Sequence, residues 1–360
     1  MGSGTGFVSA IRPDGRSRDE SGLSVVTVRI GINGLGRIGR CVMRALVEDA
    51  YDDIMLVAAN GPAPTAQHVH LLKYDSVHGR FFGEITVDEG NDRIDMGCGP
   101  IQMLHTRDPG SIDWGDLGVD VVLECTGKFT SRADCDVHLK RGAKKVLISA
   151  PAKDDCPTFV YGVNDDGLSA GMDIISIGSC TTNALAPVAK VLHEQFEIVQ
   201  GYMTTIHAYT GDQNLVDGSH ADLRRARAAG LSMVPTKTGA AKAIGLVLPE
   251  LAGRLDGAAI RVPTANVSLV DLTVTLGDAV TAEAITEAMR AAAHGPMQGV
   301  LAVNDAPLVS ADFCGRPESS IFDATQCRVN GSLAHLAAWY DNEWGFSCRM
   351  LDMAKAIVRG

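Results

Sequence analysis

Ser24-Val25-Val26-Thr27-Val28-Arg29-Ile30-Gly31-Ile32 runs straight into Asn33-Gly34-Leu35-Gly36-Arg37-Ile38-Gly39-Arg40. The first nine residues read as a buried-type β run. The next eight carry G-x-G-x-x-G at Gly34, Gly36 and Gly39. A helix is predicted over Cys41–Val47 and a second strand over Ile54–Asn60. In a chain with 39 glycines the motif alone is a weak signal, but in a strand–turn–helix–strand frame it is a strong one. Gly34 permits the tight turn, Gly36 lets a pyrophosphate approach the backbone, and Gly39 lets helix pack on strand. The pyrophosphate then meets a helix N-terminus. The stretch therefore predicts a dinucleotide-binding half.

Working outward, strand-like and helix-like segments keep alternating. Val119–Thr126 is strand then turn, Arg132–Arg141 is helical, and Lys144–Pro151 is another strand. This predicts a Rossmann-type, doubly wound parallel sheet. Ligands sit beyond the carboxyl ends of such strands, where Thr126, Gly127, Ser149 and Ala150 lie. After residue 180 the runs Met203–Thr210, Ile260–Pro263 and Val267–Thr275 alternate in polarity, as half-buried antiparallel strands do. A helix is expected from Thr281 to Ala293, and an amphipathic one closes the chain over Met350–Val358. The expected organisation is an N-terminal extension (1–23), a dinucleotide domain (24–179), an α+β catalytic domain with a mixed or antiparallel sheet (180–341), and a C-terminal segment (342–360).

The 360 residues suffice for about two domains and a large core. A net charge of -11 argues against a nucleic-acid partner. No apolar run is long enough to cross a bilayer. Nine scattered cysteines with no C-x-x-C pair signal neither a zinc site nor a disulfide framework, and fit reduced thiols in a cytoplasmic protein. The first 23 residues, rich in Gly, Ser, Arg and Asp, have no sustained apolar stretch, so they read as a flexible extension and not as a secretory signal.

The chemistry-bearing stretch is Ser179-Cys180-Thr181-Thr182-Asn183. A strand over Met172–Ile177 and Gly178 precede it, and a helix over Ala184–Leu192 follows, with Pro187 expected in the first turn. Cys180 is thus placed at a helix N-terminus, where the dipole and free N–H groups favour a thiolate. An isolated cysteine is more often an inert core thiol; its polar neighbours suggest a lined pocket.

Taken together, Asn33–Arg40, Ser179–Asn183, Thr238-Gly239-Ala240-Ala241-Lys242, Arg261-Val262-Pro263-Thr264 and Trp339–Gly345 closely resemble the signatures of the phosphorylating glyceraldehyde-3-phosphate dehydrogenase family. The resemblance runs from about Val28 to the last helix. It implies a homotetramer acting on glyceraldehyde 3-phosphate and inorganic phosphate, with no metal. Cys180 would form a thiohemiacetal with the aldehyde, and His207 would take the hydroxyl proton as hydride leaves for the nicotinamide. The Cys180 N–H is a candidate oxyanion donor. The resemblance assigns Thr210 and Arg261 to the substrate phosphate and Ser179, Thr238, Gly239 and Arg225 to the attacking phosphate, with Thr181 a further candidate for substrate or phosphate binding. Arg224 is the competing candidate for the role of Arg225. Arg forks and Thr hydroxyls suit phosphate oxygens. To the cofactor it assigns Gly34, Gly36, Arg37, Ile38, Thr126, Ser149, Asn342 and, from a neighbouring subunit, Ser219.

The departures bear on cofactor choice. A carboxylate is expected at the end of the second strand to hold the ribose of NAD. Here Asn60 is followed by Gly61-Pro62, and Asp52 and Asp53 lie at the wrong end. Asp217-Gly218-Ser219-His220 replaces a bulkier Leu-Pro pair. NADP, NAD or both are therefore expected as cofactors. Ala184 and Phe346 also depart from the family without touching a chemical step. The alternatives are erythrose-4-phosphate dehydrogenase of the same superfamily and a catalytically silent binding protein of the same fold.

Overall fold

Val28–Asn33 (β1) is buried along almost its whole length, which a strand requires when helices cover both faces of its sheet. In chain order there follow α1 (Arg37–Glu48), β2 (Ile54–Asn60), α2 (Thr65–Lys73), β3 (Thr86–Asp88), β4 (Arg93–Asp95), β5 (Pro100–Leu104), β6 (Val121–Glu124), α3 (Arg132–Lys140), β7 (Lys145–Ile148) and β8 (Ile174–Ser176). The computed structural model describes residues 16–18 and 24–359. The expected extension lies largely outside the described residues; Arg16–Arg18 pair antiparallel with Ser24–Val26.

These strands form one sheet in the order β8-β7-β6-β1-β2-β5-β4-β3. The six from β8 to β5 are parallel, as predicted. β4 and β3 add an antiparallel edge that the alternation did not announce. They are three residues each and largely exposed, so they carry almost no hydrophobic signal. On one face Ile30, Ile32, Leu56 and Leu123 pack with Val42, Met43 and Leu46 of α1. On the other, Val122, Val146 and Ile148 pack with Trp114 and Cys135.

α1 starts four residues earlier than expected, so Arg37, Ile38 and Gly39 form its first turn, with Gly36 as N-cap. α4 (Cys180–Phe196) likewise starts before Ala184. Ser179 caps it, accepting from Thr182 N at 3.0 Å, and this outweighs the low helix propensity of the Thr-Thr-Asn run. Pro187 is therefore the eighth helical residue and lies in the helix interior, contrary to expectation. It has no N–H for the carbonyl of Asn183.

The second sheet comprises β9 (Ile198–Ala208), β10 (Val234–Lys237), β11 (Leu255–Val262), β12 (Ser268–Leu276), β13 (Leu301–Asn304), β14 (Ser320–Asp323) and β15 (Leu333–Tyr340). Its order is β10-β11-β9-β12-β15-β14-β13. It is mixed, since β9 runs parallel to β11 and β13 to β14. The alternation in β12 is complete, every second residue being buried. One face packs on α4, α5 (Ala240–Val247) and α6 (Ala282–His294) through Leu185, Val188, Leu192, Ile244, Ile285 and Met289. α7 (Trp344–Arg359) starts six residues before the predicted Met350 because Asp341 Oδ1 accepts from the N–H groups of Glu343 and Trp344. Phe346, Met350, Met353 and Ile357 then join the core of the first sheet, so the helix returns to the dinucleotide half.

Candidate active site

Cys180 is the first residue of α4, directly beyond β8, so its N–H is one of the helix donors without an intrahelical partner. β9 brings His207 to it: Sγ lies 3.5 Å from Nε2. His207 Nδ1 is 2.7 Å from the carbonyl of Ala208. Arg261 Nη1, which can only donate, also lies 3.2 Å from Nδ1, but the shorter carbonyl contact decides: a carbonyl only accepts, so Nδ1 carries the hydrogen and Nε2 presents its lone pair to the sulfur. Arg261, beside His207 across the parallel β9–β11 pairing, puts Nη1 3.1 Å from the same carbonyl and 3.3 Å from Thr210 Oγ1. Its buried Nε has no partner among the described residues. Cys180, His207, Thr210 and Arg261 thus form one cluster, as the sequence predicts.

Burial works against the thiolate that a helix N-terminus favours. Burial pushes the Cys180 thiol up, against the lowering effects of Arg261 and the Thr181 groups. Burial, then Arg261, lowers His207 to about 4, with the Ala208 carbonyl working the other way. Both shifts disfavour the charged pair, against the preference for a thiolate that a helix N-terminus gives, although the Cys180 side chain is only partly buried.

Of the remaining phosphate candidates, Arg225 is half-buried and donates to Thr236 Oγ1 at 3.0 Å and Asp212 Oδ2 at 2.6 Å. Arg224 is exposed, which separates the two arginines. Thr238 and Gly239 directly precede α5, Gly239 being its N-cap, and Thr238 Oγ1 accepts from Ala240 N. Thr181 departs from expectation: its hydroxyl is turned inward, 2.9 Å from Tyr340 Oη.

The dinucleotide motif behaves as its glycines predict. Gly34 has φ +107°, and a Cβ there would lie 2.6 Å from Thr126 N. A Cβ on Gly39 would lie 2.1 Å from the Gly34 carbonyl, whereas one on Gly36 would meet nothing within 4 Å. Gly36 thus faces open space at the start of α1, as a close-approaching pyrophosphate requires, and the fold fits a dinucleotide. A cavity of about 400 Å³ adjoins it, lined by Gly34, Gly36, Asn60, His68 and Thr126 among others. The Arg37 side chain is not part of this wall. It bridges Asp75 and Glu343, which leaves only its backbone for a cofactor. Ser149 directly follows β7 and is not among the residues that line this cavity. Ser219 is exposed and does not line the cavity of its own chain.

Several positioning residues escaped the sequence reading. Ser268 Oγ accepts from Ala208 N at 3.0 Å and donates to Asn342 Oδ1 at 2.8 Å, tying the His207 strand to Asn342 and leaving the amide NH₂ end to donate elsewhere. Buried Glu124 accepts from Asn33 Nδ2 at 2.6 Å, Thr126 N at 2.8 Å and His138 Nε2 at 3.1 Å. Trp114 Nε1 donates to His138 Nδ1, which fixes that tautomer. Only the polar residues themselves were visible in the sequence; their pairings span up to 91 positions.

Comparison with known proteins gives one answer. The family model described as glyceraldehyde 3-phosphate dehydrogenase, NAD binding domain, matches residues 28–132, and that of the C-terminal domain matches residues 179–342. The chain is 55% identical over 335 residues to the plasmid glyceraldehyde-3-phosphate dehydrogenase of Cupriavidus necator, covering 92% of this chain and 99% of the relative. It is 52% identical over 335 residues to the enzyme of that name from Cereibacter sphaeroides (93% and 99% covered) and 52% over 337 residues to that of Mycolicibacterium smegmatis (92% and 99%).

Proposed function

The chain belongs to the glyceraldehyde-3-phosphate dehydrogenase family, and we propose that Cys180 and His207 carry its chemistry. It is an NAD(P)-dependent oxidoreductase that converts glyceraldehyde 3-phosphate and inorganic phosphate to 1,3-bisphosphoglycerate. Neither the erythrose 4-phosphate reading nor the silent binding protein is favoured. The observation that carries the assignment is the 3.5 Å approach of Cys180 Sγ to His207 Nε2, beside Arg261 and Thr210.

In this reading His207 Nε2 takes the thiol proton as sulfur adds to the aldehyde carbon, while the backbone N–H of Cys180 stabilises the developing oxyanion. His207 returns that proton to the oxygen, giving the thiohemiacetal hydroxyl and freeing Nε2, which takes the hydroxyl proton back as hydride leaves. The bound nicotinamide supplies the hydride acceptor. Inorganic phosphate cleaves the resulting Cys180 thioester. Thr210 and Arg261 hold the substrate phosphate; Ser179, Thr238, Gly239 and Arg225 hold the attacking one. The backbone N–H groups of Arg37 and Ile38 at the start of α1 meet the pyrophosphate, Thr126 and Ser149 flank the cofactor, and Asn342 fixes the nicotinamide carboxamide.

NADP is accepted alongside NAD, because Gly61 offers no carboxylate to repel a 2′-phosphate and no Asp or Glu lines the cavity. The assembly is a homotetramer, supported by the exposed Leu215, Val216, Leu223, Leu231, Met233 and Leu246. A cytoplasmic location accords with nine free cysteines. The test is cofactor reduction with each sugar phosphate and each cofactor, with and without inorganic phosphate. Phosphate-independent turnover, or turnover surviving Cys180→Ser, would overturn the assignment.

A further inference from the structure

We infer that His68, together with Arg40, forms a seat for the 2′-phosphate of an adenosine ribose, in the space where a ribose-binding carboxylate would otherwise stand. This rests on the reading that the protein accepts NADP.

Gly61 directly follows the last residue of β2, the place from which dinucleotide folds reach the ribose hydroxyls. It is not merely a side chain lost. A Cβ at Gly61 would lie 2.6 Å from His68 Nε2, 2.7 Å from His68 Cε1 and 3.0 Å from Leu35 Cβ. The imidazole therefore occupies the volume that the missing side chain would fill. His68 comes from the first turn of α2, seven residues further on, and no local pattern connects the two positions.

The imidazole is 5% exposed, and neither of its ring nitrogens is in hydrogen-bonding geometry with a described residue, although the carbonyls of Gly61 and Ala63 lie near it. Buried polar atoms are normally paired, and leaving one unpaired is costly. His68 nevertheless lines the nucleotide cavity. A second orphan donor lies on the same wall. Arg40 Nη1 donates to the Leu35 carbonyl at 2.7 Å, but its Nε is buried without a partner. Two unpaired donors beside one cavity are what an anion with several acceptor oxygens would satisfy.

The charges around the seat have one sign. Arg40 comes from α1, Arg107 from the segment after β5, and Lys128 from the loop after β6; the cavity lining contains no Asp or Glu. His105 also faces His68, and its own charge is matched by Asp92, 2.9 Å away. Burial, with Arg40 and His105, holds His68 below its usual range, partly offset by the carbonyls of Gly61 and Ala63. His68 is thus neutral near pH 7 in the free protein. A dianionic phosphate beside it would favour its protonation, so phosphate binding should take up a proton.

The test uses adenosine 2′,5′-bisphosphate and 5′-AMP as probes, titrated calorimetrically into the full-length protein. Wild type should bind the bisphosphate at least about tenfold more tightly than AMP, and the ratio should grow between pH 8 and pH 6. His68→Ala should reduce the ratio to about two while leaving AMP affinity within twofold. His68→Gln, which keeps a donor, should retain part of the preference and guards against a packing effect of the smaller residue. In the His68→Ala background, Gly61→Asp should favour NAD; in the wild-type background the same change should not, because the imidazole blocks it. A bisphosphate preference that survives His68→Ala unchanged overturns the seat but leaves NADP acceptance standing on Arg107 and Lys128. Equal loss of both probes also overturns it, as a structural role. If wild type shows no bisphosphate preference and does not turn over NADP, the cofactor reading itself fails.

Discussion

Tyr340 and Thr181 share a hydrogen bond, Oη to Oγ1 at 2.9 Å, and Thr205 Oγ1 lies 2.8 Å from the same Tyr340 oxygen. The residue after Cys180 and the residue two before His207 are thereby tied to one buried hydroxyl. The Tyr340 ring also meets the His207 ring edge-on, with centroids 5.9 Å apart. Tyr340→Phe keeps the ring but leaves two threonine hydroxyls short of a partner. The expected result is a loss of about 1–3 kcal/mol in stability. The looser Cys180–His207 distance should lower kcat severalfold with KM for the sugar phosphate little changed. A loss confined to stability, with kcat intact, would show that the hydroxyl does not position the pair.

Assembly can be tested at the loop that carries Leu215, Val216, Leu223 and Leu231. Leu231 is 86% exposed and Met233 73% exposed, which is costly for a free surface and ordinary for a subunit contact. If the protein assembles as the proposed tetramer, Leu231→Asp with Met233→Asp should convert it to smaller species in sedimentation velocity. A wild-type monomer, or a tetramer indifferent to both charges, would refute the assembly and with it any role for Ser219 in a neighbour's cofactor site.

How much of this was legible in the sequence depends on the range of the forces involved. Gly34, Gly36 and Gly39 announced their turn because a positive φ and two close approaches are local demands. The core strands of the first sheet announced themselves by near-continuous burial. β3 and β4 did not, because an exposed edge needs no apolar residues. The burial that pushes the Cys180 thiol up was hidden for a different reason: the helix N-terminus is visible in sequence, whereas burial is set by residues distant in the chain that meet in space. Gly61 was conspicuous as an absence, yet the imidazole filling its place was not. Thr181 looked like a pocket residue beside Cys180 and turned inward only because Tyr340, 159 positions away, offered a hydroxyl.

Asp75 gives an acid-stability prediction. Although burial opposes its charge, Arg37 and the N–H groups of His78 and Val77 hold its carboxyl at about 2, against 3.8 unperturbed. Its side chain is only 3% exposed, so the effect is little screened. A depressed carboxyl stabilises the fold fully above pH 3.8 and loses that contribution as pH falls towards 2; the amount is about 2 kcal/mol. Asp75→Asn should therefore lower the Tm clearly at pH 7 and by much less near pH 2.5. An equal Tm difference at both values would mean that the ionised carboxylate is not what stabilises the fold.

The reactivity of Cys180 tests the electrostatics of the pair. With the thiol raised by burial, alkylation by iodoacetamide in the absence of substrate and cofactor should keep rising through pH 8–9, without levelling off near neutrality. His207, lowered to about 4, is neutral throughout that range and acts as a proton acceptor, not as a counter-charge. His207→Asn removes the acceptor and should slow alkylation at pH 7 by about tenfold, one unit of displacement of the profile. Arg261→Gln removes a cation that favours the thiolate and should move the profile to still higher pH. Exposed Cys314 will also react, so the label must be followed on the peptide that contains Cys180. A profile that levels off near pH 6 in wild type would show that the helix N-terminus prevails over burial. A profile unchanged in His207→Asn would show that His207, at 3.5 Å, is a neighbour of the sulfur and not its proton acceptor.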